Sequence, residues 1–388
     1  MVRTRIPVIS LILFSIIILA IIPSCRAILG DDPDSSPRGI FNHIWTDFNE
    51  TYPLFEVKGI DWNEIHDIYA PQITQEMTDY ELFCVCAEML NLLKDAHVSL
   101  IAPFGNSNFL LYDDIDYYDY FYYLERPSGP RPFTPFSLEL VREEYLENRG
   151  IFTGDEMGFL YGTFKLDKPD KPGKPDKPGK AKLPIGYIFI YDFGSPVIGI
   201  DAIPDWAKKI NDIVRLFIND TDGLVLDIRN NLGGIGSNMD YIAARFAAEP
   251  KKYAKSRTKN GPGRNDFSTP MTWTIKPAGP LYTKRIVLLT NKETVSAGEW
   301  FTLALRTQDH VIHAGEETFG SFSARIIRSL ANGWQYAIPV QRVEDMNGIC
   351  WEGKGISPDE QHIKNNDWNE LQKRNKDAQL DYALSFFR

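Results

Sequence analysis

The stretch that decides the fold is Gly223-Leu-Val-Leu-Asp227-Ile-Arg-Asn-Asn-Leu-Gly233-Gly234. It begins as a short apolar run typical of a buried strand, and a helical pattern follows it over residues 238–248. Paired glycines at such a junction allow positive φ and bring backbone N–H groups close to a ligand. The stretch therefore predicts a strand–helix unit whose junction is either a tight structural turn or part of a binding site.

The same alternation continues on both sides of this unit. Further strands are predicted at residues 185–191, 285–289, 311–314 and 334–340, and further helices at residues 202–218, 297–306 and 368–387. Strands that alternate with helices form largely parallel βαβ units, with sites at the strand ends. The second half of the chain is therefore predicted to be an α/β core.

The first half has a different texture. Residues 39–94 show a helical pattern, in which Thr78-Asp-Tyr-Glu81 is a capping box that opens a helix ending near Lys94. Residues 98–101 then resemble a short strand. A small helical domain is therefore predicted to precede the α/β core.

The region between them, residues 104–184, is predicted to be an insert. Its acidic and aromatic run at residues 112–123 favours either ordinary strand packing or a surface that binds a sugar or peptide. Pro169-Asp-Lys-Pro-Gly-Lys174 repeats immediately over residues 175–180, and such hexamers cannot bury apolar surface. This repeat is predicted to be an extended linker.

Composition excludes several classes of function. The 388 residues are 43% hydrophobic, enough for a sizeable core, so the chain as a whole is neither disordered nor a small disulfide scaffold. Its 42 Lys and Arg against 52 Asp and Glu give a net charge of −10, which argues against broad nucleic-acid binding. Six His and four Cys, scattered along the chain, leave little material for a metal cluster, and we predict no metal or cofactor.

The N-terminal residues are predicted to be an export signal. Arg3 and Arg5 precede an apolar stretch at residues 6–22, and Pro23-Ser24-Cys25 follows. Cys25 resembles the lipid-modified Cys of a bacterial lipoprotein, and an uncleaved membrane anchor is the alternative. Either assignment predicts a membrane-attached protein of the cell envelope, facing the periplasm or the cell surface.

Another strand–helix junction, Asn291-Lys-Glu-Thr-Val-Ser296-Ala297-Gly298-Glu299, carries a serine. A hydroxyl there lies near a helix N-terminus, whose positive end favours developing negative charge. Ser296 is therefore either a nucleophile or an ordinary N-cap residue.

Four segments in register resemble the tail-specific, or C-terminal processing, serine peptidase family across residues 185–365. They are residues 227–234, Val295-Ser296-Ala-Gly-Glu299, Gly315-Glu-Glu-Thr318-Phe-Gly320 and Trp351-Glu352-Gly-Lys-Gly-Ile-Ser-Pro-Asp359. The resemblance implies a ClpP/crotonase-like spiral that hydrolyses peptide bonds of proteins or peptides through an acyl-enzyme, without metal or cofactor.

Two departures decide which branch of the family the chain resembles. Members with a Ser–Lys dyad have a Lys after the Thr-x-Gly turn, where this chain has Ser321. Lys94-Asp-Ala96-His97-Val98 and Glu352 instead resemble the branch of the tricorn core and interphotoreceptor retinoid-binding protein, although that branch has a Ser where Ala96 stands.

The resemblance assigns roles to individual residues. Ser296 is the expected nucleophile, His97 the base and Glu352 the carboxylate that orients the imidazole. The oxyanion is expected to bind the N–H groups of Ala297 and of Gly233 or Gly234. Ser296 Oγ and His97 should then lie within hydrogen-bond reach, with Glu352 behind the ring.

A rival interpretation is a non-enzymatic lipoprotein that keeps the fold and binds a peptide or glycan along Tyr117–Tyr123. An acyl-transfer enzyme on the same spiral is disfavoured by the acidic chain and the export signal.

The predicted organisation is a signal peptide at 1–24, a lipidated tether at 25–37, a helical domain at 38–103, the insert at 104–184, the peptidase core at 185–365 and a C-terminal helix at 366–388.

Overall fold

The computed structural model describes residues 34–103, 117–121, 136–153, 158–165, 183–194, 203–365, 371 and 375–388. The predicted signal peptide, Cys25, the repeated hexamers and most of the aromatic run lie outside these ranges. Within them, every helix is too short or too polar to cross a membrane.

Helices dominate residues 34–91. They are α1 (Pro37–Thr51), α2 (Phe55–Lys58), α3 (Trp62–Tyr69), a 3-10 turn (Ala70–Gln72) and α4 (Asp79–Asn91). The capping box opens α4 as predicted, because the Thr78 side chain accepts the Glu81 N–H and the Glu81 carboxylate accepts the Thr78 N–H. The prediction of a small helical region is confirmed.

The remaining elements follow in chain order. The strands are β1 (Ser99–Pro103), β2 (Tyr117–Phe121), β3 (Leu146–Thr153), β4 (Gly158–Phe164), β5 (Ile185–Ile190), β6 (Gly223–Asp227), β7 (Lys251–Thr258), β8 (Met271–Ile275), β9 (Ile286–Thr290), β10 (Val311–Gly315), β11 (Arg325–Ser329), β12 (Gln335–Pro339) and β13 (Gln341–Asp345). The helices are α5 (Asp205–Lys208), α6 (Ile210–Asp220), α7 (Gly236–Ala243), α8 (Ala297–Leu305) and α9 (Ala378–Ser385). Short helical turns occur at Leu138–Leu140, Val141–Tyr145 and Glu360–His362.

A six-stranded sheet with the order β10-β9-β6-β5-β4-β3 forms the centre of the α/β core. β10, β9, β6 and β5 are mutually parallel, while β4 and β3 add to one side in antiparallel orientation. All five residues of β6 and of β9 are buried, as expected for central strands covered on both faces. The predicted α/β class is confirmed.

A second sheet, with the order β11-β12-β1-β2, joins the two halves of the chain. β1 follows the helical region, whereas β12 comes from the last third of the chain, and they pair in antiparallel register. Trp334, Tyr336 and Ile338 are buried in one cluster with Phe48 and Trp62 of the helical region. This shared core fixes the start of β1 relative to the α/β core.

Two predicted helices differ from those observed. The pattern at residues 202–218 forms two helices, α5 and α6, that meet at Lys209. The described part of the C-terminal helix starts at Ala378, because the Asp377 carboxylate accepts the Leu380 N–H and caps the helix there. The third sheet, β13-β7-β8, had no counterpart in the predicted pattern.

Candidate active site

Three strand ends meet at one edge of the central sheet. Because β6, β9 and β10 are parallel, the segments after Asp227, Thr290 and Gly315 leave the sheet on the same side. Hydrogen bonds tie them together: Val295 N–H donates to Asn231 O, and Phe319 N–H donates to Thr294 O, each within 3.0 Å. The glycine, serine and Thr-x-Gly segments therefore form one structural unit.

Ser296 occupies the turn between β9 and α8. Its backbone has φ 55° and ψ −118°, outside the regions that non-glycine residues ordinarily adopt. A residue held there costs about 1–3 kcal/mol and persists only where its surroundings fix it. The Ser296 N–H is bonded to Ser321 O at 3.1 Å and lies 3.2 Å from Glu299 Oε2.

Glu299, to which the sequence assigned no role, organises this turn. Its buried carboxylate accepts hydrogen bonds from Thr318 Oγ1 and from the backbone N–H groups of Gly320, Ser321 and Ser296, at 2.6 to 3.2 Å. Burial raises the pKa of Glu299 to about 7, and these four donors oppose the rise. Its spacing in Val295–Glu299 resembles a capping box, which was the only sequence pattern that pointed to it.

The two predicted oxyanion segments lie against each other. A Cβ on Gly233 would come within 2.7 Å of Ser296 Cβ and 2.9 Å of Ala297 N, so only glycine fits there. However, the Gly233 N–H already donates to Asn231 Oδ1 at 2.9 Å. Within the described residues, the N–H groups of Gly234 and Ala297 make no hydrogen bond, which leaves these two of the three predicted donors available.

His97 lies at the start of β1 and is 9% exposed. Its N–H donates to Asp95 Oδ1, and its ring Nδ1 is 2.9 Å from Ser321 Oγ. No hydrogen bond joins the Ser296 hydroxyl to the His97 ring among the described residues. The two are instead linked through Ser321, whose hydroxyl contacts the ring and whose carbonyl accepts the Ser296 N–H.

Glu352 is buried beside this group, but its contact differs from the predicted one. Its Oε2 accepts the Phe322 N–H at 2.9 Å, and its Oε1 is buried without a partner among the described residues. Asp95, His97 and Glu352 each offer an atom within 4.8 Å of the others. Among the described residues, the hydrogen-bond contact to His97 Nδ1 is therefore made by Ser321 and not by Glu352.

Burial sets the charge of this cluster. It is the main reason that the pKa of His97 falls to about 4. The positive charges of Arg325 and Lys58 also lower this pKa, and the negative charge of Asp95 opposes the decrease. Burial, together with the Asp95 charge, raises the pKa of Glu352 well above its usual range. Although burial also opposes ionisation of Asp95, Lys58 and the hydrogen bonds from His97 and Tyr52 keep its pKa below the usual value. A pKa of about 4 leaves the His97 imidazole neutral at neutral pH, as a general base requires.

Arg229, which lies in the glycine-rich stretch, has a structural position. Its fully buried guanidinium is bonded to Asp227, Asp377 and Gln379 and stacks 4.4 Å from the Phe136 ring centroid. Removing one partner of a buried pair of this kind leaves an uncompensated charge, which is strongly destabilising. Arg229 thus joins the C-terminal helix to the loop after β6 and does not face Ser296 in any recorded contact.

Comparisons with known proteins identify two families that match different parts of the chain. Residues 184–362 match the model of peptidase family S41, and residues 33–91 match the tricorn protease C1 domain. The carboxy-terminal processing protease CtpB of Bacillus subtilis is 26% identical over 199 residues, which cover 50% of this chain and 38% of that protein. The chloroplastic C-terminal processing peptidase of Tetradesmus obliquus is 30% identical over 184 residues, covering 47% and 36%.

A solved structure is similar over almost the whole chain. The crystal structure of a predicted peptidase from Parabacteroides merdae superposes with a TM-score of 0.72 at 25% identity, and covers 91% of this chain and 97% of that one. The match supports the predicted spiral fold as well as the helical region before it. By contrast, the chain spans less than two fifths of the length of the curated relatives named above. The chain therefore carries a peptidase family S41 domain, preceded by a tricorn protease C1 domain.

Proposed function

We propose that this protein is a serine peptidase that hydrolyses peptide bonds of proteins or peptides, with Ser296 as nucleophile and His97 as base. The observation that carries the proposal is the turn at Ser296. A serine in a strained conformation lies against the Gly233-Gly234 segment, and one residue, Ser321, links it to a buried histidine. The N–H groups of Gly234 and Ala297 make no hydrogen bond among the described residues, which supports the assignment of a nucleophile, oxyanion donors and a base to this region.

In the proposed mechanism, Ser296 Oγ attacks the carbonyl carbon while its proton passes to His97 Nε2. Nε2 must be unprotonated for this step, so in the proposed mechanism Nδ1 carries the ring proton and donates a hydrogen bond to Ser321 Oγ. The N–H groups of Gly234 and Ala297 bind the negative oxygen of the tetrahedral intermediate. The His97 proton then goes to the leaving amine, and water hydrolyses the acyl-enzyme by the same steps.

Glu352 contributes indirectly, through the residues around Ser321 and His97. By holding the Phe322 N–H, it fixes the peptide that follows Ser321. Glu352 also lies close enough to His97 for its carboxyl oxygen atoms to stabilise the positive charge of the imidazolium. In this proposal Glu352 is a positioning and electrostatic residue.

Labelling with a fluorophosphonate probe tests the function. The wild-type protein should be labelled at Ser296, identified by mass spectrometry, and should cleave an unfolded protein substrate. Ser296→Ala should abolish both labelling and cleavage, and His97→Ala should slow both about 10²–10⁴-fold. Ser323→Ala is the control for loss of a nearby serine hydroxyl, since Ser323 lies two residues after Ser321, is buried and bonds only backbone groups.

The missing hydrogen bond between Ser296 and His97 is what favours the second candidate, a peptidase-like protein that binds a peptide or glycan without cleaving it. Binding of a peptide by an unlabelled wild-type protein, with Ser296→Ala binding equally well, would support this candidate and contradict the peptidase. Cleavage without labelling would show that another mechanism operates.

We also propose that the chain is exported and anchored in the cell envelope by a lipid on Cys25. The basic residues and apolar stretch before Cys25 support this proposal. Metabolic labelling with a palmitate analogue should mark the wild-type protein and not Cys25→Ala. An unlabelled wild-type protein that still sediments with membranes would indicate an uncleaved apolar anchor instead.

A further inference from the structure

Asp95, two residues before His97, belongs to the buried cluster but has no part in the mechanism above. Its side chain is fully buried, and both of its oxygens have partners. Asp95 Oδ1 accepts the His97 N–H at 3.0 Å. Oδ2 accepts the Tyr52 hydroxyl at 2.7 Å and lies 3.4 Å from the Lys58 ammonium. One carboxylate therefore joins the backbone of the proposed base to two residues of the helical region.

Lys58 also holds the turn that carries His97. Its ammonium donates to Leu93 O at 3.1 Å and to Lys94 O at 2.8 Å, and its side chain is only 9% exposed. These carbonyls follow the end of α4, where backbone C=O groups lack helical partners and favour a cation. Lys94 has a φ of 49°, so the backbone passes through the left-handed region just before Asp95. The turn is therefore held by a side chain from α2.

Asp95 and Glu352 form a pair of buried carboxyl groups beside the base. Each offers an oxygen within 4.8 Å of the other and of a His97 ring nitrogen, and two carboxyl groups so close do not both ionise readily. Burial opposes ionisation of both, but Lys58 and the hydrogen bonds from His97 and Tyr52 hold the pKa of Asp95 below its usual value. Burial and the Asp95 charge raise the pKa of Glu352 well above its own. Asp95 is therefore the member of the pair that carries the negative charge.

This negative charge acts on the His97 ring. Asp95 favours the imidazolium, whereas the positive charges of Arg325 and Lys58 disfavour it. Other titratable groups whose charge reaches the cluster are Glu299 of α8, which acts on Glu352, and Cys350, which acts on Tyr52 and Glu352. The ring thus becomes positive during proton transfer next to a carboxylate that the helical region keeps ionised.

We propose that Asp95 is a further positioning residue of the reaction: its carboxylate, held by Tyr52 and Lys58, fixes the backbone of His97 and supplies the negative charge that stabilises the imidazolium. Asp95 stays ionised throughout. The proton moves from Ser296 Oγ to His97 Nε2 and then to the leaving amine, and none passes to Asp95. This inference rests on the proposed peptidase function, and it makes the helical region part of the reacting unit.

Asp95→Asn tests the charge, because the amide oxygen still accepts the His97 N–H while the negative charge is lost. We expect kcat for a peptide to fall about tenfold at pH 7, with KM unchanged, as a part of what a general base contributes. The acidic limb of kcat/KM, expected near pH 4 in the wild-type protein, should move to lower pH by about one unit. Because the Asp95 charge helps to keep Glu352 protonated, the substitution is also made in Glu352→Gln protein, where the second carboxyl cannot take over the charge.

Asp47→Asn is the matched control. Asp47 is another buried carboxylate of the helical region, 7% exposed, and it too accepts a tyrosine hydroxyl and a cation, those of Tyr336 and Arg328. Its substitution should lower stability but leave kcat and the acidic limb at wild-type values. An acidic limb that moves equally in Asp47→Asn and Asp95→Asn, or in neither, would overturn the inference.

Asp95→Ala tests the positioning, since it removes the acceptor of the His97 N–H as well as the charge. Its kcat should be lower than that of Asp95→Asn by about a further tenfold, again with KM unchanged. Equal kcat values for the two variants would show that the bond to the His97 backbone contributes nothing to the reaction, and would overturn the positioning role.

Failure of this inference and failure of the peptidase are distinguishable. Fluorophosphonate labelling of the wild-type protein reports on Ser296, and an unlabelled wild-type protein refutes the peptidase together with the role of Asp95. If the wild-type protein is labelled, but Asp95→Asn alone and in Glu352→Gln protein leaves kcat and the acidic limb unchanged, only the role of Asp95 is refuted.

Discussion

The two sides of the candidate active site are built differently. On the nucleophile side, Glu299 accepts four hydrogen bonds and holds the turns that contain Ser296 and Ser321. On the base side, Glu352 uses one oxygen and leaves the other buried without a partner in the described part of the chain. One buried glutamate is saturated with donors, and the other is not.

The difference teaches what each side contributes. A saturated carboxylate fixes backbone geometry, which an oxyanion site needs before the reaction starts. A buried carboxyl group with an oxygen atom that lacks a hydrogen-bond partner destabilises the resting protein. It makes a favourable electrostatic interaction when a positive charge forms on a histidine beside it. We infer that hydrogen bonds fix the geometry of the nucleophile side before the reaction starts. The base side gains its favourable electrostatic interaction only when the positive charge forms on His97.

The largest expected effect comes from breaking the saturated side. Glu299→Ala leaves buried donors at Thr318, Gly320 and Ser321 without an acceptor, each costing about 1–3 kcal/mol when unsatisfied, so the free energy of unfolding should fall by at least about 3 kcal/mol. Denaturant unfolding measures it. Glu317→Ala, which removes only an exposed carboxylate 3.6 Å from Lys292, should change it by no more than about 1 kcal/mol. Equal effects would contradict the role of Glu299.

The next effect is local to the oxyanion donors. Gly233→Ala places a Cβ within 2.9 Å of Ser296 Cβ, Val295 O and Ala297 N, which must then move apart. We expect kcat/KM to fall about 10²–10³-fold. Gly333→Ala is the matched control: Gly333 also has a positive φ, of 85°, but nothing lies within 4 Å of its Cβ position. Equal kcat/KM values for both variants would show that backbone strain alone is responsible.

A smaller effect is expected on the base side. Ser321→Ala removes the contact to His97 Nδ1 and should lower kcat roughly 10- to 100-fold, a part of the 10²–10⁴ that a general base provides. KM should stay unchanged, and Ser321→Thr should recover most of the rate. Ser323→Ala controls for the loss of a buried hydroxyl nearby.

The pH profile separates positioning from structural damage. Because burial lowers the pKa of His97 to about 4, the acidic limb of kcat/KM should lie near pH 4 in the wild-type protein. Ser321 Oγ accepts a hydrogen bond from the charged His97 ring and so favours the imidazolium. Ser321→Ala should therefore shift the acidic limb to lower pH, and Ser323→Ala should leave the limb in place. An unshifted limb in Ser321→Ala would contradict the contact's role.

The smallest expected effect is on the pH dependence of stability, and the substitution that tests it is expected to stabilise the protein at high pH, not to destabilise it. The pKa of Glu352 is raised in the folded protein, so above its ordinary value of 4.5 the unfolded chain loses a proton that the folded protein keeps. Stability should therefore decrease as pH rises above about 4.5. Glu352→Gln, which stays neutral, should weaken this decrease and be as stable as wild type or more so at pH 8, yet turn over more slowly. Reduced stability at pH 8 would show that Glu352 is ionised at rest.

The sequence predicted the nucleophile side better than the base side. Residues 223–234 and 291–299 are continuous segments whose strand, turn and helix patterns are local, so their meeting at a sheet edge follows from parallel topology. Glu299 escaped notice as the organiser because its partners at Thr318, Gly320 and Ser321 are about 20 residues away. Only folding brings those donors to it.

Ser321 shows why the rest could not be read from the sequence. At position 321 the sequence has Ser where the Ser–Lys dyad members have Lys, and at position 96 it has Ala where the tricorn-like branch has Ser. In the structure Ser321 Oγ lies 2.9 Å from His97 Nδ1, across 224 residues of chain. A hydrogen bond between segments so distant has no local pattern.

The sequence by itself determined the alternating strands and helices of the central sheet, the α/β class, the segments that carry Ser296, His97 and Glu352, and the family they resemble, since each depends on residues close together in the chain. Tertiary structure alone decided which group bonds the His97 ring and which glycine N–H makes no hydrogen bond among the described residues. These depend on distances between segments that meet only when the helical region and the α/β core share the β12–β1 pairing. Local propensity specifies elements, but contacts between distant segments are set by the packing of the whole chain.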